Sequence, residues 1–398
     1  MRLQEALERA LTEPTGPVER APSEDQLNEI LEAARLAPSA YNMQPWHLQI
    51  LRTPAEQEEV AQAFSIPRDP GDAQAWILCL MDRDRMLPVA DPLGTETYIA
   101  LGALCLNVKL ASAALDLTCR LFSSSEFNVT AWQPRSLSIS SNLEPYFVFS
   151  IEKGKEPTAA SGTGPAVYRL DSFGSDPRQE PPVRETEALM DAFQCLRLRR
   201  VDREPLRRGG SWEEDRVRIL SSGRRALEAH GAGSVELLLV EGDRGTLELT
   251  RLQSKAWRKA MTNPKRLAEI NPWLRFSQSK WRKRGDGELV HHFGLGPLKR
   301  LIGQIGLSTG LAPLGLRFGA GRLFLAEAPA SPEMTGAYLT TVLEDPTSRF
   351  QTDDPYRRQI MTGVGACLEA IWLTATALGA SLQFQTSTMV VEDIRAEV

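Results

Sequence analysis

Residues 34–51, ARLAPSAYNMQPWHLQIL, read as the end of a helix running into a strand. The same outline returns 189 positions later, at residues 223–240, as GRRALEAHGAGSVELLLV. The arginine, the alanines and the closing apolar run correspond without a gap, so the chain is expected to build one helix-to-strand turn twice. A second match runs from GALCLNVKLASAALDL, 102–117, to GACLEAIWLTATALGA, 365–380, at an offset of 263. Both stretches are rich in small residues and apolar on most faces, the pattern of a helix buried all round. Two such units predict an α+β fold of two tandem halves packed as an intramolecular pseudo-dimer.

The boundaries follow from composition. Residues 153–187 are rich in Pro, Gly, Ser and charge and lack apolar periodicity, so they read as a linker between half 1, 1–152, and half 2, 188–398. The 398-residue length suits two such units. The two offsets differ, so half 2 carries an insertion of about seventy residues, placed at about 253–321 and lid-like in character. In each half a capped helix leads the way: Ser23 with Gln26, and Ser211 with Glu214, have capping-box spacing. HLQIL, AWILCLM and YFVFSIE read as strands of half 1, and VELLLV and RLFLAEA as strands of half 2. No counterpart of YFVFSIE follows the second buried helix before Val398.

Several functional classes are excluded or disfavoured. A net charge of −5 leaves no overall attraction for nucleic acid. Five scattered cysteines without a C-x-x-C pair fit neither a disulfide framework nor a zinc site, and His291-His292 lacks ligands at a metal-binding spacing. The N-terminus, MRLQEALERALTEP, has no apolar signal region, so a cytoplasmic protein is expected. LIGQIGLSTGLAPLGL, 301–316, is uncharged but short and glycine-rich, which suits an apolar lid better than stable membrane insertion. No nucleophile elbow or Walker motif occurs, and no catalytic side chain stands out.

The polar features of the first junction are specific. Pro38 ends the helix, because the residue before a proline is pushed out of the α region. Ser39, Asn42 and Gln44 then offer a hydroxyl and two carboxamides on a turn, and Trp46 anchors the strand that follows. Spacing alone favours a turn whose Ser and Asn satisfy local backbone groups. However, the run A-R-x-A-P-S-x-x-N-x-Q-P-W resembles the junction of the nitroreductase superfamily, α+β flavoproteins that bind FMN at a dimer interface. Its tandem, single-chain arrangement is similar to that of tandem nitroreductase-like flavoproteins.

The resemblance implies a shared FMN site. Pro38, Ser39, Asn42 and Gln44 would contribute from one side. From the other, Arg199, Arg200 and Arg203 of RLRRVDREPL match the family's R-R-S-x-R phosphate motif. Guanidinium forks suit phosphate through parallel charge-assisted hydrogen bonds. Thr386 and Ser387 occupy the loop that the family places near flavin N5. Shifted by 189, the three arginines become Ala10, Leu11 and Pro14, and the polar junction becomes LEAHGAGSV. Each half has kept a different part, so one competent FMN site is expected between them. The implied function is an FMN-dependent oxidoreductase moving hydride through flavin N5 to or from a small organic substrate, with NAD(P)H as reductant. The dimer interface being internal, a monomer is expected. Two departures, Val201 in place of the motif serine and the absent last strand, favour the alternative of an FMN-sequestering or catalytically degenerate homologue.

Overall fold

The computed structural model describes residues 1–12, 18–66, 75–123, 132, 134–154, 191–199, 212–241, 243–290, 304, 338–343, 354–380 and 382. Helix α1 (Leu3–Leu11) buries Leu3, Ala6, Leu7 and Ala10 along one stripe. After β1 (Val18–Arg20), α2 (Glu24–Arg35) begins at the expected capping box: the Ser23 hydroxyl accepts from the Gln26 amide, and the Gln26 side chain accepts from the Ser23 amide. β2 (Trp46–Leu51) leads to α3 (Pro54–Ala63), β3 (Ala75–Asp82), α4 (Thr95–Ala114), β4 (Thr118–Ser123) and β5 (Leu143–Gly154). Strands β1, β5, β3 and β2 lie side by side and antiparallel, with β4 also paired to β5.

β3 is buried along its whole length, and its two faces serve different cores. Ala75, Ile77, Cys79 and Met81 belong to the main core with α4, whereas Trp76, Leu78 and Leu80 pack with Val60, Ala61 and Phe64 of the α3 segment. AWILCLM and YFVFSIE are thus strands, as their sequences predict.

The later elements are α5 (Ala192–Leu198), α6 (Trp212–Ala229), β6 (Val235–Val240), α7 (Asp243–Thr262), α8 (Pro264–Ile270), β7 (Leu274–Arg275), α9 (Gln278–Arg284), β8 (Glu288–Leu289), β9 (Tyr338–Leu343) and α10 (Pro355–Ala377). A shift of 189 carries β2 onto the limits of β6, and the first residues of α1 and α3 onto those of α5 and α7. A shift of 263 carries the start of β3 onto that of β9 and the end of α4 onto that of α10. β6 and β9 pair antiparallel, as β2 and β3 do, to within one register position. α7 continues beyond the counterpart of α3, where the insertion is expected to begin. The strand paired to β6 is β9; RLFLAEA, Ser211, His291-His292 and nearly all of 301–316 lie outside the described residues, as does the linker beyond Gly154.

α4 and α10 form the central contact. In α4 every residue except Ile99 and Ala114 is buried. Both helices are long and apolar enough to cross a membrane, but most of each apolar window is buried inside the protein. Their backbones touch at two glycines. A Cβ on Gly102 would lie 1.9 Å from the Thr362 carbonyl oxygen, and one on Gly365 would lie 2.0 Å from that of Ile99. No larger residue permits this approach. The 263 shift relates Gly102 to Gly365 and Ile99 to Thr362, so each contact is the counterpart of the other.

Candidate functional site

The first junction begins where α2 ends. Leu36 still has helical angles, and a 3₁₀ turn at Ala40–Asn42 follows the extended Ser39. Three non-glycine residues then adopt positive φ: Tyr41 at 49°, Asn42 at 50° and Gln44 at 52°. Such backbone persists only where its surroundings over-determine it. Here the Ser39 hydroxyl accepts from the Gln44 amide at 2.9 Å, and the Asn42 amide donates to the Ser39 carbonyl at 3.0 Å. Ser39 therefore does the local work that a turn residue is expected to do.

The carboxamides behave differently. Gln44 Nε2 donates to Asn42 Oδ1 at 3.2 Å and to the Gly285 carbonyl at 2.8 Å. Asn42 Nδ2 donates to the Gly287 carbonyl at 3.3 Å, while the Gly287 amide donates back to the Asn42 carbonyl at 3.1 Å. Residues 285–287, within the stretch expected to be an insertion, thus sit directly on the junction.

Its seating is specific. The Glu269 carboxylate accepts from the amides of Val89 and Ala90, and Arg266 donates to the Ala90 carbonyl at 2.7 Å. Ile270 packs with Met43, Leu87 and Ala90. Asp286 gathers Arg275 at 2.7 Å, Arg284 at 3.4 Å and Arg85 at 3.8 Å. Gly287 has φ +78°, and a Cβ there would meet the Arg275 guanidinium at 2.6 Å, so only glycine lets this turn lie flat.

Arg199 follows α5, and its side chain is only 6% exposed. Its Nε lies 3.1 Å from Glu369 Oε1, its Nη2 donates to the Leu36 carbonyl, and its guanidinium stacks 4.3 Å from the Trp372 ring centre. On the same turn of α2, Ala33 accepts from Asn107 Nδ2 at 3.0 Å. Burial pushes the Glu369 carboxyl up to about 7, against the pull of Arg199 and Asn107. Burial also lowers Arg199 from its ordinary value, with Glu369 opposing. Desolvation outweighs attraction for both partners.

Arg199 reaches the Leu36 carbonyl, two residues before Pro38, and lies beside Glu369. Pro38, Ser39, Asn42 and Gln44 lie in the described junction, whereas Arg200, Arg203, Thr386 and Ser387 lie outside the described residues. Glu369 and Asn107 were not anticipated. Their signal is a carboxylate and a carboxamide in the small-residue, apolar runs at 102–117 and 365–380.

The second junction is packed internally. His230 Nδ1 lies 2.9 Å from the Ala226 carbonyl, which can only accept, so Nε2 faces Cys105 Sγ at 3.6 Å as the acceptor. Burial pushes His230 down to about 4 and the Cys105 thiol up to about 12. A Cβ on Gly363 of α10 would lie 2.4 Å from the Ala232 Cβ, which leaves no layer between helix and turn.

Residues 19–119, which include the first junction, match the Nitroreductase family model. Over 95 residues the chain is 32% identical to a protein named as an NADH dehydrogenase/NAD(P)H nitroreductase of Archaeoglobus fulgidus; the match spans 23% of this chain and 55% of that relative. Solved structures with a local likeness include a nitroreductase family protein of Clostridium difficile 630, at 21% identity and TM-score 0.32 over 39% of this chain and 87% of that one. Another is a protein of Desulfovibrio desulfuricans assigned as a nitroreductase and crystallised with FMN, at 20% identity and TM-score 0.32 over 41% and 91%. A third, from Exiguobacterium sibiricum and also in complex with FMN, has 15% identity and TM-score 0.33 over 42% and 98%. The similarity to the Nitroreductase family model is thus confined to residues 19–119, and the chain spans about half the length of the curated relative it matches.

Proposed function

We propose that the protein is an FMN-dependent oxidoreductase built as a tandem pseudo-dimer, with one FMN site between its halves. The observation that carries this reading is the junction itself. Inside the family-matched stretch, three departures to positive φ within four residues, at Tyr41, Asn42 and Gln44, hold a hydroxyl and two carboxamides in one strained turn. The pseudo-dimer is supported by the paired approaches of Gly102 and Gly365, which have the self-complementary form of a two-fold interface.

The donor set fits the flavin ring better than its phosphate. Asn42 and Gln44 can donate and accept, which suits the alternating donor and acceptor edge of a polar heterocycle. Arg199 is enclosed beside Glu369, so the reading assigns the phosphate charge to Arg200 and Arg203. When bound, FMN supplies the hydride chemistry; the protein supplies position and electrostatics. Ser39 fixes the turn, the Asn42 and Gln44 carboxamides would orient the ring edge, and the 285–287 turn would limit access of water. NAD(P)H is the proposed reductant and a small organic molecule the substrate.

Purified protein should show flavin absorption bands, or gain them on incubation with FMN, and bleach anaerobically with NAD(P)H. A protein that stays colourless after FMN addition overturns the reading. A yellow protein that resists bleaching favours sequestration, to which the closed seating of Gly285 and Gly287 on Asn42 and Gln44 lends itself.

A further inference from the structure

We propose that Arg199, Glu369 and Asn107 form a positioning cluster that holds the last turn of α2, and through it the junction at residues 38–44, rather than presenting Arg199 to a ligand phosphate. Two carbonyls of that turn are held from outside. Leu36 accepts from Arg199, a residue 163 positions away, and Ala33 accepts from Asn107 on α4. A guanidinium on the final carbonyls completes a helix C-terminus and favours its dipole. Pro38 lies two residues beyond Leu36, so the turn that the cluster holds feeds directly into the strained backbone.

The energetics argue that stability is not the reason for the cluster. Arg199 and Glu369 are almost wholly buried, at 6% and 0% side-chain exposure, and such pairs are commonly replaced by apolar groups without loss. The chain carries its own comparison. The counterparts of Arg199, Asn107 and Glu369 at offsets 189 and 263 are Ala10, Ala370 and Leu106, all buried. On that side the same helices pack with an apolar trio, beside a junction that has lost its polar residues. The ion pair stands only where the polar junction stands. Arg199 is also enclosed: Glu369 lies 3.1 Å from Nε, Leu36 takes Nη2 and Trp372 covers the plane.

The flavin arm of the test rests on the proposed function; the hydrogen-exchange arm does not. The variant is the double substitution Arg199→Met with Glu369→Leu, which removes both charges together. In the full-length protein without ligand, urea stability should match or exceed wild type. The amides of Asn42 and Gln44, bonded to Ser39 in the native turn, should exchange at least about tenfold faster. Titrated with FMN and separately with riboflavin, which lacks the phosphate, the variant should bind both about tenfold more weakly, with their ratio unchanged. Unchanged amide exchange overturns the proposal. So does a loss of FMN affinity with riboflavin binding intact, because that is the mark of a phosphate ligand. If wild type binds neither flavin, the functional reading fails and the exchange arm alone decides the cluster's role. If the double variant does not fold, Asn107→Ala is read by the same criteria.

Discussion

At the scale of single residues, His230 and Glu369 set opposite responses to pH. The unfolded imidazole takes a proton below its ordinary value of 6.5, while the folded ring resists down to about 4. The unfolded state binds more protons across that window, so stability falls as pH drops from 6.5 to 4. At about 1.4 kcal/mol per pH unit, the loss amounts to about 3 kcal/mol. Glu369 acts the other way: its folded carboxyl, pushed up to about 7, stays protonated where the unfolded one at 4.5 ionises. Its contribution to stability therefore declines as pH rises from 4.5 to 7. The two slopes oppose each other between 4.5 and 6.5. His230→Gln should remove one of them. By urea unfolding, the stability difference between wild type and variant should shrink by about 3 kcal/mol from pH 7 to pH 4. A constant difference would mean that His230 is not held neutral. The junction set was legible in the sequence, because Ser39, Asn42 and Gln44 stand in a recognisable string. Glu369 and Asn107 sit in helices whose apolar pattern dominates any periodicity, and only burial reveals what a lone polar group must find there.

At the scale of elements, the crossing of α4 and α10 depends on two glycines. Gly102→Ala and Gly365→Ala each place a methyl within about 2 Å of a backbone carbonyl, which a side-chain rotation cannot relieve. Each should cost about 3 kcal/mol or more in thermal or urea unfolding, at the upper end for overpacking. Because the two contacts are counterparts, their effects should be similar. Gly233→Ala, where nothing lies within 4 Å, should change stability by less than about 0.5 kcal/mol. A neutral Gly102→Ala would show that the helices are not in this close contact. The paired helices were readable from sequence because small residues recur through two matching apolar runs. The strand beside β6 was not. YLTTVL is short and half polar, so it offers a weaker signal than RLFLAEA, and its identity emerges from pairing with β6. The tie between the insertion and the junction was equally hidden. The carbonyls of Gly285 and Gly287 do the binding, and backbone acceptors leave no trace in side-chain patterns.

At the scale of the whole molecule, the two junctions differ so much that the proposed pseudo-dimer should be asymmetric. The first has strained backbone, carboxamides, a covering turn and a neighbouring ion pair; the second has a neutral His–Cys contact and α10 packed against Ala232. A ligand at the second position would have to separate Gly363 from Ala232, which means parting α10 from its support at a cost in buried apolar contact. Flavin titration, followed by quenching of flavin fluorescence, should therefore saturate at one FMN per chain. Asn42→Ala and Gln44→Ala should each weaken binding about tenfold, the size of one or two lost hydrogen bonds at a desolvated site. Glu228→Ala, on the exposed side of the second turn, should leave the affinity unchanged within error. Saturation at two per chain, or equal loss from both sets of substitutions, would refute the one-site reading. The same titration on His230→Gln sharpens the contrast. Opening the second junction removes its internal hydrogen bond but adds neither arginine nor carboxamide cluster, so the stoichiometry should stay at one.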